Sequence, residues 1–233
     1  MSGGGTIILT NDDGIDAPGL VALERAAAGL GLRCVVVAPA ECHSGGGHRV
    51  TTHRALVVRE AGPGRYAVEG TPADCTRLAI ARLAPEARIV LSGINHGGNL
   101  GIDVLLSGTV AAAREAALHG LRAVAASQYR GRDAVIDWER AAAWLAPVVA
   151  AVLAAPQRAG EFWNVNLPSV APAGRTPEAV ECPVDPSPFA LEFRDSPEGF
   201  HWAADYHRRP RLPRHDVEVC FGGDISVSRL RVT

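Results

Sequence analysis

Two adjacent carboxylates, Asp12 and Asp13, follow a short apolar run and could hold a hard cation. At ~4 Å separation and an effective dielectric near 20, two such charges repel by about 4 kcal/mol, which a divalent cation would offset. Ligands of carboxylate, hydroxyl and amide oxygen favour Mg²⁺ or Mn²⁺ over softer metals. Further along, Glu41, His43 and Ser44 stand beside three glycines, and a third polar stretch holds Ser92, Asn95, Asn99 and Ser107. Ser107-Gly108-Thr109 directly precedes a helical pattern, and the free N–H groups of a helix start favour phosphate. Each signal has an ordinary counterpart. One Asp caps a helix while the other faces water, Ser107 or Thr109 is simply an N-cap, and Gly97, Gly98 and Gly101 merely turn the chain. His43, His48, His53 and His96 lie on or near the same stretches, but their spacing matches no closed zinc pattern; His43 or His96 could assist a leaving group.

Buried strands must end at these polar stretches if the stretches are to meet. Thr6 to Thr10 and Arg33 to Ala38 read as continuous apolar strands flanking a helix from Ala17 to Leu30, the size of a right-handed βαβ unit. Ala55 to Arg59 and Tyr66 to Glu69 read as short strands about Gly62-Pro63-Gly64. Helices are expected over Thr71–Leu83, Thr109–Leu118 and Asp137–Ala154, the last kinked or split at Pro147, with strands at Arg88–Leu91, Ala123–Ala126 and Trp163–Leu167. This alternation predicts an α/β fold, a Rossmann-like, mostly parallel sheet with helices on both faces. In such sheets ligands sit beyond the carboxyl ends of the strands, where the loops after the first, second and Arg88 strands converge. Beyond Pro168 prolines crowd the chain and helical periodicity fades. Val217–Cys220 and Ile225–Val232 read as strands, so the expected division is an α/β catalytic domain, 1–168, and a smaller β-rich C-terminal arm, 169–233.

Composition narrows the chemistry. All 23 basic residues are Arg, so neither a Walker-type lysine loop nor Schiff-base chemistry can be built. Against 25 acidic residues the formal charge is -2, which argues against a stable nucleic-acid complex and leaves room for a small anionic substrate. The five cysteines are odd in number and lack a C-x-x-C pair; Cys34 reads as a buried small hydrophobe. Met1–Gly5 lacks a basic segment followed by an apolar one, and no uninterrupted apolar run would span a bilayer. The expectation is a cytoplasmic protein with no membrane partner.

Five segments then occur in one order: Thr10-Asn11-Asp12-Asp13-Gly14-Ile15; Ala38-Pro39 leading to Ser44-Gly45; Gly70-Thr71-Pro72-Ala73-Asp74-Cys75; Ser92-Gly93-Ile94-Asn95; and Ser107-Gly108-Thr109-Val110-Ala111-Ala112. Together they resemble the signatures of the SurE survival-protein family, and Val165-Asn166-Leu167-Pro168 and Gly223-Asp224-Ile225-Ser226-Val227 resemble its later motifs. The resemblance implies a 5′-nucleotidase that hydrolyses nucleoside 5′- and 3′-monophosphates, with one divalent cation per subunit, Mg²⁺ or Mn²⁺. It implies metal ligands at Asp12, Asp13, Ser44 and Asn95, catalytic roles for Asp12, Asp13 and Asn95, and a phosphate side at Asn99, Ser107, Gly108 and Thr109. A homodimer or homotetramer joined through the arm is implied as well. Two positions depart from the family: Leu106 stands where a Tyr is usual, and Ser228-Arg229-Leu230 replaces Thr-Pro-Leu.

Two other classes compete. A haloacid-dehalogenase-like phosphatase would form an aspartyl-phosphate, but its Asp-x-Asp spacing and supporting Lys are both missing. A non-catalytic metal or nucleotide-binding module would bind without turnover.

Overall fold

The computed structural model describes residues 5–232, so Met1–Gly4 of the N-terminal reading lie outside the described residues. Every residue of β1 (Thr6–Thr10) is buried, because both faces of the strand are covered. Next, α1 (Pro18–Ala28) opens on a proline whose missing N–H would have had no helical partner, and it is followed by β2 (Arg33–Pro39). β3 (Val58–Gly62) and β4 (Arg65–Val68) form the expected hairpin, with β3 beginning three residues later than the sequence suggests. α2 (Pro72–Leu78) begins at a capping box in which Thr71 and Asp74 satisfy each other's backbone N–H groups, and it loosens into a π-helical turn at Ala79–Leu83.

β5 (Ile89–His96) is twice the expected length. The predicted strand ended at Leu91, before the polar Ser92, yet Ser92 pairs with Thr10 on one side and Ala125 on the other. Gly93 is required there: a Cβ would fall 2.1 Å from the carbonyl oxygen of Ala126. The strand therefore carries Asn95 to the sheet's end. After α3 (Asp103–Leu106) and α4 (Gly108–Leu118) come β6 (Arg122–Gln128), α5 (Trp138–Ala154) and β7 (Glu161–Leu167). α5 continues past Pro147 as one helix rather than splitting, held by the buried stripe Leu145, Val148, Val149 and Val152.

β8 (Ala179–Glu181), the hairpin of β9 (Phe193–Ser196) and β10 (Gly199–Trp202), the helix α6 (Asp216–Phe221) and β11 (Ile225–Arg231) complete the chain. α6 overturns the expected strand at Val217–Cys220. Val217 and Cys220, three residues apart, face Leu100 and Tyr129, while the buried Asp216 accepts N–H groups of Gly101, Asp185 and Val217 and so fixes the helix start. Apolar content read as strand is here one face of a short helix.

The main sheet has the order β3-β4-β2-β1-β5-β6-β7-β11-β8. Its centre, from β4 to β7, is parallel; β3 and β11 run antiparallel to their neighbours β4 and β7. α1 and α5 cover one face and α2 and α4 the other, each over its own apolar cluster. The expected α/β sheet with helices on both faces is therefore present, with β8 and β11 from the segment 169–233 as two of its strands. All five cysteines are free, and Cys34 is half-buried rather than buried. Among the described residues no helix is long and apolar enough to cross a membrane.

Candidate functional site

β1 lies at the switch point of the sheet, since the chain leaves it towards β2 on one side and returns to it as β5 on the other. The loops at the carboxyl ends of these strands meet there. His43 N–H donates to the Asp12 carbonyl at 2.7 Å, Gly47 N–H donates to the Leu106 carbonyl at 2.9 Å, and Asp13 Oδ2 accepts the His96 N–H at 3.0 Å. A cleft of about 270 Å³ results, lined by Asp12, Ser44, Asn95, Asn99 and Ser107 among others. Gly108 and Thr109 stand directly behind Asp12.

Asp12 is the electrostatic focus. It is 4% exposed, and among the described residues no Arg or His pairs with it or with Asp13. Burial, helped by the charge of Asp13, pushes its carboxyl up to about 6, although the Thr109 hydroxyl donates to Oδ1 and backbone N–H groups of Asp12 and Thr109 oppose the shift. A buried carboxylate without a cationic partner fits a site for a divalent cation. The neighbouring donors suit one too: Asn95 Nδ2 donates to the Gly97 carbonyl at 2.9 Å, which leaves Asn95 Oδ1 as its free acceptor, and Ser44 is exposed on the cleft. Among the described residues no group of three or more His, Cys, Asp or Glu side chains could hold a metal, so any such ion would rely on hydroxyl and amide oxygen.

Ser107 caps α4 by accepting the Val110 N–H at 3.0 Å, and the hydroxyl of Thr109 is committed to Asp12. The Gly108 N–H makes no hydrogen bond to the described residues. Position 108 must be glycine, because a Cβ would lie 2.8 Å from both Cβ and Oδ2 of Asp12. Asn99 is gripped from below. Its N–H donates to Asn166 Oδ1 at 2.7 Å, its side-chain amide donates to Ser127 Oγ at 2.7 Å, and its carbonyl accepts from Asn164 and Asn166. Asn166 stands within one of the family-like motifs, whereas Asn164 belongs to no motif. The available signal was two asparagines alternating with Trp163, Val165 and Leu167 in a fully buried strand.

Other supports were illegible in sequence. Glu115, fully buried on α4, accepts from His48 of the Ser44 loop at 2.6 Å, from His119 at 3.0 Å and from Arg77 of α2. His48 is thereby engaged away from the cleft, and His96 packs against Trp138, so the four loop histidines form no cluster. Thr51 donates its N–H and hydroxyl to Asp74 at 2.8 and 2.7 Å, tying the same loop to the start of α2. Asp103, Tyr206 and Arg209 join the far wall: Tyr206 Oη donates to Asp103 Oδ2 at 3.0 Å and Arg209 Nη1 at 2.8 Å.

Comparison with known proteins agrees with this architecture. The family model described as "Survival protein SurE" matches residues 7–181. A protein of Nostoc sp., provisionally named a 5′-nucleotidase, is 48% identical over 227 residues, covering 97% of this chain and 100% of that protein. "5′-nucleotidase SurE" of Rhizorhabdus wittichii is 40% identical over 215 residues, covering 90% of this chain and 78% of that protein. The crystal structure of the SurE protein from Aquifex aeolicus superposes with a TM-score of 0.84 at 32% identity, covering 98% of this chain and 94% of that one. With the matched motifs, the sheet order and the loop cluster all in agreement, the chain belongs to the SurE survival-protein family.

Proposed function

We propose that this protein is a metal-dependent 5′-nucleotidase that hydrolyses nucleoside 5′- and 3′-monophosphates to nucleoside and phosphate, acting in the cytoplasm. The observation that carries this reading is the buried Asp12 carboxylate, without a cationic partner among the described residues, set against the start of α4 in one cleft with Ser44, Asn95 and Asn99. Family membership supplies the reaction class, as relatives bear 5′-nucleotidase names.

Asp12, Asp13, Ser44 and Asn95 would hold one divalent cation, Mg²⁺ or Mn²⁺. When bound, such an ion neutralises charge on a phosphoryl group and lowers the pKa of a water bound to it. The chain's own residues do the rest. Asp12 and Asp13 provide the compensating negative charge, and Thr109 fixes the Asp12 carboxylate in place. Asn99, Ser107, Gly108 and Thr109 form the phosphate side, where the free Gly108 N–H and the positive end of α4 favour an anion. Asn164 and Asn166 position Asn99. Residues 169–233 serve as the assembly arm of a homodimer or homotetramer, its exposed Val170, Leu191 and Leu212 being the apolar contact side chains.

Phosphate release from a panel of nucleoside monophosphates, measured with Mg²⁺, Mn²⁺, Zn²⁺ or chelator, tests the reading. Release that requires Mg²⁺ or Mn²⁺ is expected, and its absence under every metal would leave a binding module. Gly108→Ala is a sharper probe, because the new Cβ must displace the Asp12 carboxylate. Calorimetry should show divalent-cation affinity falling by about tenfold or more with circular dichroism unchanged; unchanged affinity would place the ion elsewhere.

A further inference from the structure

A second cleft, of about 670 Å³, adjoins the first and shares Asp103, Leu106 and Tyr206 with it. Its other wall comes from the segment around the β9–β10 hairpin, chiefly Phe189, Glu192, Trp202 and Arg208. We infer that this cleft is the nucleoside subsite: the base of a nucleoside monophosphate stacks on Trp202, with Phe189 beside it, while its phosphate reaches across Leu106 to the Asp12 cleft. The inference rests on the nucleotidase reading and adds to it which residues read the nucleoside.

The floor between the two clefts is built firmly. The Arg209 side chain is 4% exposed, ion-paired to Asp103 at 2.8 Å and held between the rings of Phe189 and Tyr206, 4.7 and 5.0 Å from their centroids. Burial raises the Asp103 carboxyl against the opposing charge of Arg209, so the pair is desolvated structure rather than solvated surface. Tyr206 spans the junction, with its hydroxyl on Asp103 and its ring on the arm side.

Above this floor Trp202 remains accessible. Trp202 is 50% exposed and meets Phe189 and Phe193 at 85° and 87°, so neither ring is stacked flat on it. A planar base has a π-face to offer such a ring whatever its identity, whereas a base-free sugar phosphate has none. Glu192 and Arg208 at the lining supply an acceptor and a donor for ribose hydroxyls. The volume lies within the range of ordinary small-molecule sites, and continuity with the phosphate-side cleft is what selects a phosphorylated nucleoside over an unrelated apolar ligand. Stacking without base-edge geometry also implies a broad base range.

The test compares AMP with ribose 5-phosphate, which lacks the base, in wild type, Trp202→Ala and Phe200→Ala. Phe200 lies on the same hairpin, is 78% exposed and does not line the cleft. Trp202→Ala should raise KM for AMP about tenfold while kcat and the KM for ribose 5-phosphate stay within about twofold, the size of one lost stacking contact. Phe200→Ala should change neither, and calorimetric binding of adenosine to the metal-loaded protein should weaken in step with Trp202→Ala alone. Equal losses on both substrates, or an unaltered KM for AMP, would overturn the proposal. So would a Trp202→Ala protein whose mass by light scattering drops, since the cleft would then be covered by a second copy. If wild type binds adenosine through Trp202 yet releases phosphate from neither substrate with any metal, the subsite stands and the hydrolase reading falls; failure of wild type to bind adenosine removes the subsite itself.

Discussion

Asp12→Asn is expected to reduce phosphate release by about a thousandfold while leaving the metal-free fold at least as stable as the parent. The first half follows from charge. Asp12 would give the cation site half of its carboxylate charge, and losing a preorganised electrostatic partner of the reacting group removes orders of magnitude in turnover. The second half follows from burial. Without a cation the carboxylate sits almost wholly out of water with no Arg or His paired to it among the described residues, and burial has driven it up to about 6. A neutral carboxamide of the same shape relieves that desolvation, and its oxygen can still accept the Thr109 hydroxyl. Thermal melts in chelator, set beside phosphate-release rates in Mg²⁺, separate the two halves. Retained turnover in the variant would mean the chemistry lies elsewhere, and a marked fall in the chelated melting point would mean Asp12 serves the fold rather than a cation. Such a trade, stability given up where function requires an unpaired charge, is common at active sites.

The reverse balance holds at Glu115, where the charge is buried and fully partnered. Burial alone would raise its carboxyl, but donors on His48, Arg77 and His119 outweigh that and hold it at about 2. Because the folded value lies below the ordinary 4.5, ionisation stabilises the fold above about pH 5, and that contribution disappears as pH falls from there towards 2. The shift corresponds to roughly 3 kcal/mol at most. Glu115→Ala should cost about 2 kcal/mol near neutral pH, after allowance for the partly exposed Arg77 and His119, and lower the melting temperature by roughly 4–8 °C. Glu115→Gln should show a melting deficit that narrows steadily between about pH 5 and pH 2, since the unfolded chain takes up its proton first and the folded carboxylate last. A deficit independent of pH would show that packing, and not the ionised network, is what Glu115 provides. As His48 lies on the Ser44 loop, the same variants should loosen that loop and raise the metal concentration needed for half-maximal activity.

These two carboxylates mark the boundary between what was legible and what was not. Asp12 and Asp13 could be found from sequence because adjacent acids after a buried strand conflict with their surroundings unless something binds them. Ser107 could be found because a helix start is a local signal written in neighbouring residues. The sheet was legible for a related reason: continuous apolar strands alternating with amphipathic helices leave few topologies, and the parallel pairing of β1 with β2 follows from a βαβ unit. Local reading failed where burial came from distant partners. Val217 and Cys220 look like strand residues, and only Asp216 receiving N–H groups from Gly101 and Asp185 makes them helical. Ser92 looks like a strand end, and only pairing on both sides extends β5 to Asn95.

By itself, then, the sequence determined the α/β class, the family and the polar loops that meet, since these are set by periodicity, by residue type and by motifs within a few residues of one another. Only the tertiary structure decided that Asn164 and Asn166 hold Asn99, that Glu115 anchors the loop bearing Ser44, and that Tyr206 and Arg209 reach Asp103 from more than a hundred residues away. Those contacts depend on where strand ends and the arm come to rest in space, and no local propensity encodes the partner of a side chain so far along the chain.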